Sequence, residues 1–151
     1  MLHDPDSSQM QAGATAAARS IPLFDSVPAG LFKDAGVVLD YDEDLPQLIL
    51  SEAEANHDSR AFALRVQGES MVEAGILDGD ILVVSPGTRV SSGDIAVVLI
   101  NQTASTVKKV YIESDRLILQ PANHRYRPEV LAYPAEVEIL GKVIQVRRSL
   151  G

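Results

Sequence analysis

The feature that most constrains the fold is a series of short apolar segments, separated by turn residues, that begins near residue 61. Phe62, Leu64 and Val66 alternate with other residues, which predicts a strand with these three side chains on one face. Glycine- and proline-containing turns separate the segments. Many short strands with little helix predict a single, mainly antiparallel β domain. One short helix is expected over 45–55. The predicted strands are 61–67, 80–84, 94–100, 106–111, 116–120 and 137–146.

The start of the chain differs in composition from the rest. The first twenty residues are rich in Ser, Gln, Gly and Ala, and we expect order to begin at Ile21. The segment Val27-Pro28-Ala29-Gly30 is expected to be extended, because a proline restricts the residue before it and glycine permits a bend. Such an exposed link is a place where a chain can be cut. We therefore expect a flexible arm over residues 1–29 and a β domain over residues 30–151.

Acidic residues outnumber basic ones, and the excess lies near the start of the chain. There are 13 Lys and Arg against 21 Asp and Glu, which gives a formal net charge of −8. Residues 1–60 contain eleven acidic and three basic residues, so they account for the whole excess. A protein that coats nucleic acid by charge needs clustered Lys and Arg. The composition therefore excludes that class and predicts no direct DNA binding.

Several other functional classes are excluded by composition. The chain has no cysteine, so disulfides, thiolate chemistry and cysteine-based zinc sites are ruled out. There is no apolar run of about 18 residues and no secretory signal, so we expect no membrane contact and a cytoplasmic protein. Asp78-Gly79-Asp80 resembles part of a calcium loop but lacks the remaining ligands, so a turn is expected there. No metal and no cofactor is expected.

Ser70 is a candidate nucleophile because it follows a predicted strand through Gly68. A serine at a sharp turn can present its hydroxyl beside unpaired backbone N–H groups, the parts of a nucleophile and an oxyanion hole. A cap or turn role is the commoner use of such a serine. The histidines His3, His57 and His124 have no carboxylate at a spacing that favours a Ser-His-Asp triad.

A lysine is the alternative base. In the predicted strand 106–111, Thr106 and Lys108 share one face with Val110, whereas Lys109 lies on the other. A lysine on the apolar side of a strand loses hydration, which lowers its pKa and allows it to accept a proton. On the residues alone, two solvent-facing lysines are the more frequent arrangement.

Three motifs in sequence order resemble the LexA/UmuD family of self-cleaving Ser-Lys peptidases. The resemblance covers residues 21 to about 147, and its motifs are Ala29-Gly30, Val66-Gln67-Gly68-Glu69-Ser70-Met71 with Asp78-Gly79-Asp80-Ile81-Leu82-Val83-Val84, and Thr106-Val107-Lys108-Lys109 with Ile118-Leu119-Gln120-Pro121-Ala122-Asn123. It implies a β-rich domain like those of LexA and signal peptidase.

The resemblance also implies roles for particular residues. Ser70 would be the nucleophile and Lys108 the general base. The backbone N–H groups of Glu69 and Ser70 would form the oxyanion hole. The bond cut would be Ala29-Gly30, within the chain's own N-terminal segment.

Two members of this family serve as functional models. A short arm without helical periodicity or basic charge is more similar to UmuD, which implies a homodimeric subunit of an error-prone, UmuC-like DNA polymerase. Cleavage would then be stimulated by RecA filaments on single-stranded DNA during the SOS response. The alternative is the self-cleavage and dimerisation domain of a LexA-like or phage repressor.

Overall fold

The computed structural model describes residues 18–27, 32–33, 37–38 and 44–150. Nearly all of its regular structure is β, and the only helix within these residues is a 3₁₀-helix, Val72–Ala74. This confirms the predicted mainly β class. The strands are β1 (Ala18–Phe24), β2 (Phe32–Lys33), β3 (Val37–Val38), β4 (Gln47–Ser51), β5 (Phe62–Arg65), β6 (Ile81–Ser85), β7 (Ile95–Ile100), β8 (Ala104–Ile112), β9 (Arg116–Gln120), β10 (Glu129–Ala132) and β11 (Val137–Arg147).

Within the described residues, nine of the strands form one sheet in the order β10-β9-β8-β7-β11-β6-β5-β1-β4. Every neighbouring pair is antiparallel except β1 and β5, which pair in parallel at Leu23 with Ala63 and Phe24 with Leu64. The sheet is therefore mixed although mostly antiparallel. β2 and β3 pair only with each other in the described part of the chain.

The core lies on both faces of the central strands. Phe62 and Leu64 of β5 pack in one apolar cluster, and Ala61 and Ala63 pack in another. Strands that are covered on both sides carry apolar residues without a strict alternation. The predicted face of Phe62, Leu64 and Val66 is confirmed, because all three side chains lie in the first cluster.

The N-terminal part of the described chain belongs to the sheet. β1 begins at Ala18, three residues before the expected start of order at Ile21. Ile21 and Phe24 are buried, and Phe24 meets Phe62 edge to face with ring centroids 6.0 Å apart. β1 is therefore an integral strand of the sheet, paired with β4 on one side and β5 on the other.

The short helix expected over 45–55 is wrong. The structure has strand β4, Gln47–Ser51, in this segment, followed by turns. β4 pairs with β1, and this ladder supplies backbone partners that an isolated helix of this length would have to find within itself.

Within the described residues, no helix is long and apolar enough to cross a membrane.

Candidate active site

Ser70 lies in a turn between β5 and β6 that we call the serine turn (residues 66–80). The Val66 N–H donates to the Asp80 carbonyl at 2.8 Å and closes the base of this turn. Gly68 has a φ of 91°, a conformation that glycine adopts without the steric penalty of a side chain. The chain reverses sharply there and presents a half-buried Ser70 just before the 3₁₀-helix.

Lys108 comes from β8, 38 residues further along the chain, and reaches Ser70. Its Nζ donates to Ser70 Oγ at 3.1 Å and to Thr106 Oγ1 at 2.7 Å. Thr106 and Lys108 share a face of β8, because side chains two residues apart on a strand point the same way. The structure therefore brings together the serine and the lysine that the sequence singles out, and it adds Thr106 as a second partner for the amine.

The surroundings of Lys108 favour its neutral form. Burial lowers the pKa of the Lys108 amine below its ordinary value, and the negative charge of Glu129 partly opposes this by raising it. The ammonium loses hydration in the protein, so the charged form is the one that burial disfavours. A larger fraction of neutral amine, with Ser70 Oγ within hydrogen-bond distance, makes proton transfer from the hydroxyl chemically reasonable.

A cleft beside this pair is lined in part by the chain segment that precedes the predicted cleavage bond. Asp25 and Ser26 line the cleft together with Ser70. The Val27 N–H donates to Ser105 Oγ at 3.2 Å, and the Val27 side chain is buried. The chain is therefore anchored next to the site up to residue 27. Ala29-Gly30, the predicted cleavage bond, lies outside the described residues.

The predicted oxyanion-hole donors are the N–H groups of Glu69 and Ser70. Within the described part of the chain, neither group donates to a protein acceptor. Free backbone N–H groups beside a nucleophile can stabilise a developing negative charge on a substrate oxygen. The oxyanion-hole assignment stays a prediction that this arrangement accommodates.

The other candidate residues take structural positions. Asp78 accepts the Gly68 N–H at 2.8 Å, and Asp80 accepts the Leu77 N–H at 2.8 Å, so the Asp-Gly-Asp segment is a turn. Among the residues that the structure describes, no cluster of acidic residues and histidines could hold a metal ion. His124 is exposed and lies 2.7 Å from the Glu73 carboxylate, and His3 is outside the described residues.

The sheet of this protein carries a half-buried lysine that is hydrogen-bonded to a serine in a turn. This arrangement places the chain among proteins with a serine–lysine pair. The chain belongs to the Peptidase S24-like family, whose model matches residues 22–144. This match confirms the family resemblance that the three motifs predict.

The relatives of this chain are named LexA repressors. The protein of Pseudothermotoga lettingae is 47% identical over 90 residues, which are 60% of this chain and 44% of that protein. The protein of Bacillus mycoides is 38% identical over 130 residues, which are 86% of this chain and 60% of that protein. The protein of Bacillus anthracis is also 38% identical over 130 residues, 59% of its length. The chain thus spans about half the length of these relatives.

These names bear on the two functional models. They favour the repressor domain, which the sequence gives as the alternative, over the UmuD-like polymerase subunit. They do not support a UmuC-like polymerase as a partner.

Proposed function

We propose that this chain is the self-cleaving part of a LexA-like repressor, with Ser70 as nucleophile and Lys108 as general base. The observation that carries the proposal is the 3.1 Å hydrogen bond between Lys108 Nζ and Ser70 Oγ. The burial that lowers the pKa of Lys108 supports it, because a base must be neutral before it can accept a proton. Thr106 contributes by holding the amine, because Lys108 Nζ also donates to Thr106 Oγ1 at 2.7 Å.

In the proposed mechanism, the neutral Lys108 amine takes the Ser70 hydroxyl proton while Oγ attacks the Ala29 carbonyl carbon. The resulting oxyanion accepts hydrogen bonds from the Glu69 and Ser70 N–H groups. Collapse of this intermediate breaks the bond to Gly30, whose nitrogen receives the proton from Lys108. Water then attacks the Ala29 ester on Ser70, with the same amine as base, and restores the free hydroxyl.

The substrate in this proposal is tethered to its own catalyst. Val27 is two residues before Ala29, and its hydrogen bond to Ser105 holds the incoming segment beside the cleft. The Gln67 side chain also donates to the Asp25 carbonyl at 3.3 Å. A substrate that is already positioned removes much of the entropic cost of a bimolecular encounter. Cleavage is therefore expected to be first order and independent of protein concentration.

The wider role rests on the family resemblance and the names of the relatives. We propose that the cut separates residues 1–29 from a peptidase domain of residues 30–151, and that the chain acts as a homodimer in the SOS response. RecA filaments on single-stranded DNA would stimulate the cut. Contact with operator DNA would come from the part of a repressor that the relatives have beyond the matched region. A cytoplasmic location follows from this role.

The test is the appearance of two fragments during incubation at neutral and alkaline pH, with and without RecA, ATP and single-stranded DNA. Mass spectrometry is expected to find fragments that end at Ala29 and begin at Gly30. Ser70→Ala and Lys108→Ala are each expected to lower the rate about 100-fold or more. Lys109→Ala is the matched control, because this neighbouring lysine faces the other side of β8. Cleavage at the wild-type rate in either dyad variant would refute the proposal.

A further inference from the structure

The segment after β9, residues 121–126, holds the serine turn in place, and we call it the support segment. The Asn123 Nδ2 group donates to the Glu69 carbonyl at 2.7 Å. The Glu73 N–H donates to the Ala122 carbonyl at 2.7 Å, and the His124 N–H donates to the Glu73 carboxylate at 2.9 Å. The support segment therefore contacts the chain on both sides of Ser70.

Asn123 is the buried residue of this contact, with 7% of its surface exposed. Both ends of its side-chain amide are in use. Nδ2 donates to the Glu69 carbonyl, and Oδ1 accepts the Arg125 N–H at 3.0 Å. The carboxamide cannot rotate without losing both hydrogen bonds, so its donor stays directed at Glu69.

The Glu69 carbonyl and the Ser70 N–H belong to the same peptide group. In a planar trans peptide these two groups point in opposite directions, so fixing one fixes the other. Ser70 lines the cleft, whereas the hydrogen bond from Asn123 pulls the Glu69 carbonyl toward the support segment. The Ser70 N–H is thereby turned away from Asn123 and left without an acceptor among the described residues.

We propose that Asn123 is a positioning residue that holds the Glu69–Ser70 peptide with its N–H available to the oxyanion. This inference rests on the proposed function, because the oxyanion forms only if Ser70 attacks a carbonyl. Without the Asn123 donor, the Glu69 carbonyl keeps only the longer hydrogen bond from the Val72 N–H, at 3.4 Å. The peptide is then less restrained, and rotation would point the Glu69 carbonyl oxygen at the developing negative charge. Removing one oxyanion donor typically lowers kcat by a factor of about 100 to 1,000. A peptide that is only loosened is expected to lose about 10- to 100-fold.

The test uses Asn123→Asp in the full chain. Aspartate has almost the same shape and keeps an acceptor for the Arg125 N–H, but it removes the donor to Glu69. The self-cleavage rate is measured from neutral to strongly alkaline pH. We expect a plateau rate about 10- to 100-fold below wild type with the midpoint of the pH profile near its wild-type value. Asn123→Ala, which adds no charge, is expected to lower the plateau similarly.

His124→Ala is the matched control, because it removes a side chain of the support segment and leaves the hydrogen bond of Asn123 intact. Its rate is expected to stay within about twofold of wild type.

Recovery of the wild-type rate in Asn123→Asp at high pH would show that the added charge acts on Lys108, and would overturn the proposal. If all three variants lose the same factor in self-cleavage rate and the same amount in thermal midpoint, the support segment only stabilises the fold, and the proposal is overturned. If both Asn123 variants cleave normally while Ser70→Ala does not, this inference fails and the proposed function stands. A wild-type chain that never cleaves would overturn both.

Discussion

The base of the serine turn is joined to Arg148, the residue that follows β11, by an ion pair of which only the carboxylate is buried. Arg148 Nε and an Arg148 terminal nitrogen each donate to the Asp80 carboxylate at 2.7 Å, and the same arginine also donates to the Gly75 carbonyl at 2.8 Å. Asp80 is 1% exposed, whereas the Arg148 side chain is 40% exposed. The two partners therefore respond differently to the loss of the other.

We predict that Arg148→Met destabilises the protein more than Asp80→Asn does. Methionine keeps much of the aliphatic stem but leaves the Asp80 carboxylate buried, with the Leu77 N–H, at 2.8 Å, as its one remaining donor among the described residues. Breaking a buried pair typically costs 3–5 kcal/mol, and the exposure of Arg148 reduces the expected loss to about 2–3 kcal/mol. Asp80→Asn leaves a guanidinium that water can reach, so about 1 kcal/mol is expected.

The effect should also depend on pH. The Arg148 hydrogen bond lowers the pKa of Asp80 more than its burial raises it. A carboxyl group whose pKa is lowered on folding contributes stability above its unfolded value, about 3.9, and loses it as the pH falls through the folded value. The difference in unfolding free energy between wild type and Arg148→Met is therefore full at neutral pH and narrows below about pH 4.

The assay is urea unfolding followed by circular dichroism, with Ser70→Ala in every protein so that no chain is cut. It is performed at pH 7 and pH 3. A loss below about 0.5 kcal/mol for Arg148→Met at pH 7 would refute the reasoning, because it would mean that Asp80 needs no partner. An equal loss for the two variants would refute the asymmetry that we derive from their exposure.

Two further predictions concern the site and the sheet. Because the Glu129 charge raises the pKa of Lys108, Glu129→Gln should move the midpoint of the pH–rate profile for self-cleavage to lower pH, and the exposed Glu138→Gln should not. Equal midpoints for wild type and Glu129→Gln would contradict this. A Cβ added at Gly141 would lie 2.9 Å from the Pro86 backbone nitrogen, so Gly141→Ala should cost about 1–3 kcal/mol in urea unfolding; no loss would show that the strands shift apart easily.

The sequence predicts the strands that bury apolar residues in a regular pattern. The strand expected over 116–120 has the observed bounds of β9. β8 extends the strand expected over 106–111 at both ends, and β11 extends the strand expected over 137–146 only to Arg147. The sequence does not predict β10, because it is a largely exposed strand at the edge of the sheet whose residues show no alternation of apolar and polar side chains. The sequence of β4 resembles that of a short helix, and the segment forms a strand because it pairs with β1.

The residues of the site also divide into those that the sequence predicts and those that it does not. Ser70 and Lys108 can be found from local features, namely a glycine turn after a strand and alternation along a strand. Their 38-residue separation gives no sign that they meet, and from the residues alone a solvent-facing lysine is the more frequent arrangement. Thr106 shares a face with Lys108, so strand alternation alone could have suggested it as a partner of the amine. Asn123 could not be found this way, because its function depends on a contact with a backbone carbonyl 54 residues away.

The position of Ser70 depends on contacts that reach the serine turn from three distant parts of the chain. Arg148 holds Asp80 at its base, Asn123 holds the Glu69 carbonyl, and Lys108 reaches the hydroxyl itself. Met71 and Ile76 anchor the turn in the apolar core, but the stretch from Gln67 to Ser70 is exposed or half-buried, so the polar contacts supply order there that the core does not. Because a displacement of about 1 Å can cost a catalytic site 100-fold in rate, these contacts have to fix the turn before any chemistry occurs. The geometry of the proposed dyad is therefore a property of the whole sheet, since β8, the segment after β9 and the end of β11 must all be in place to define it.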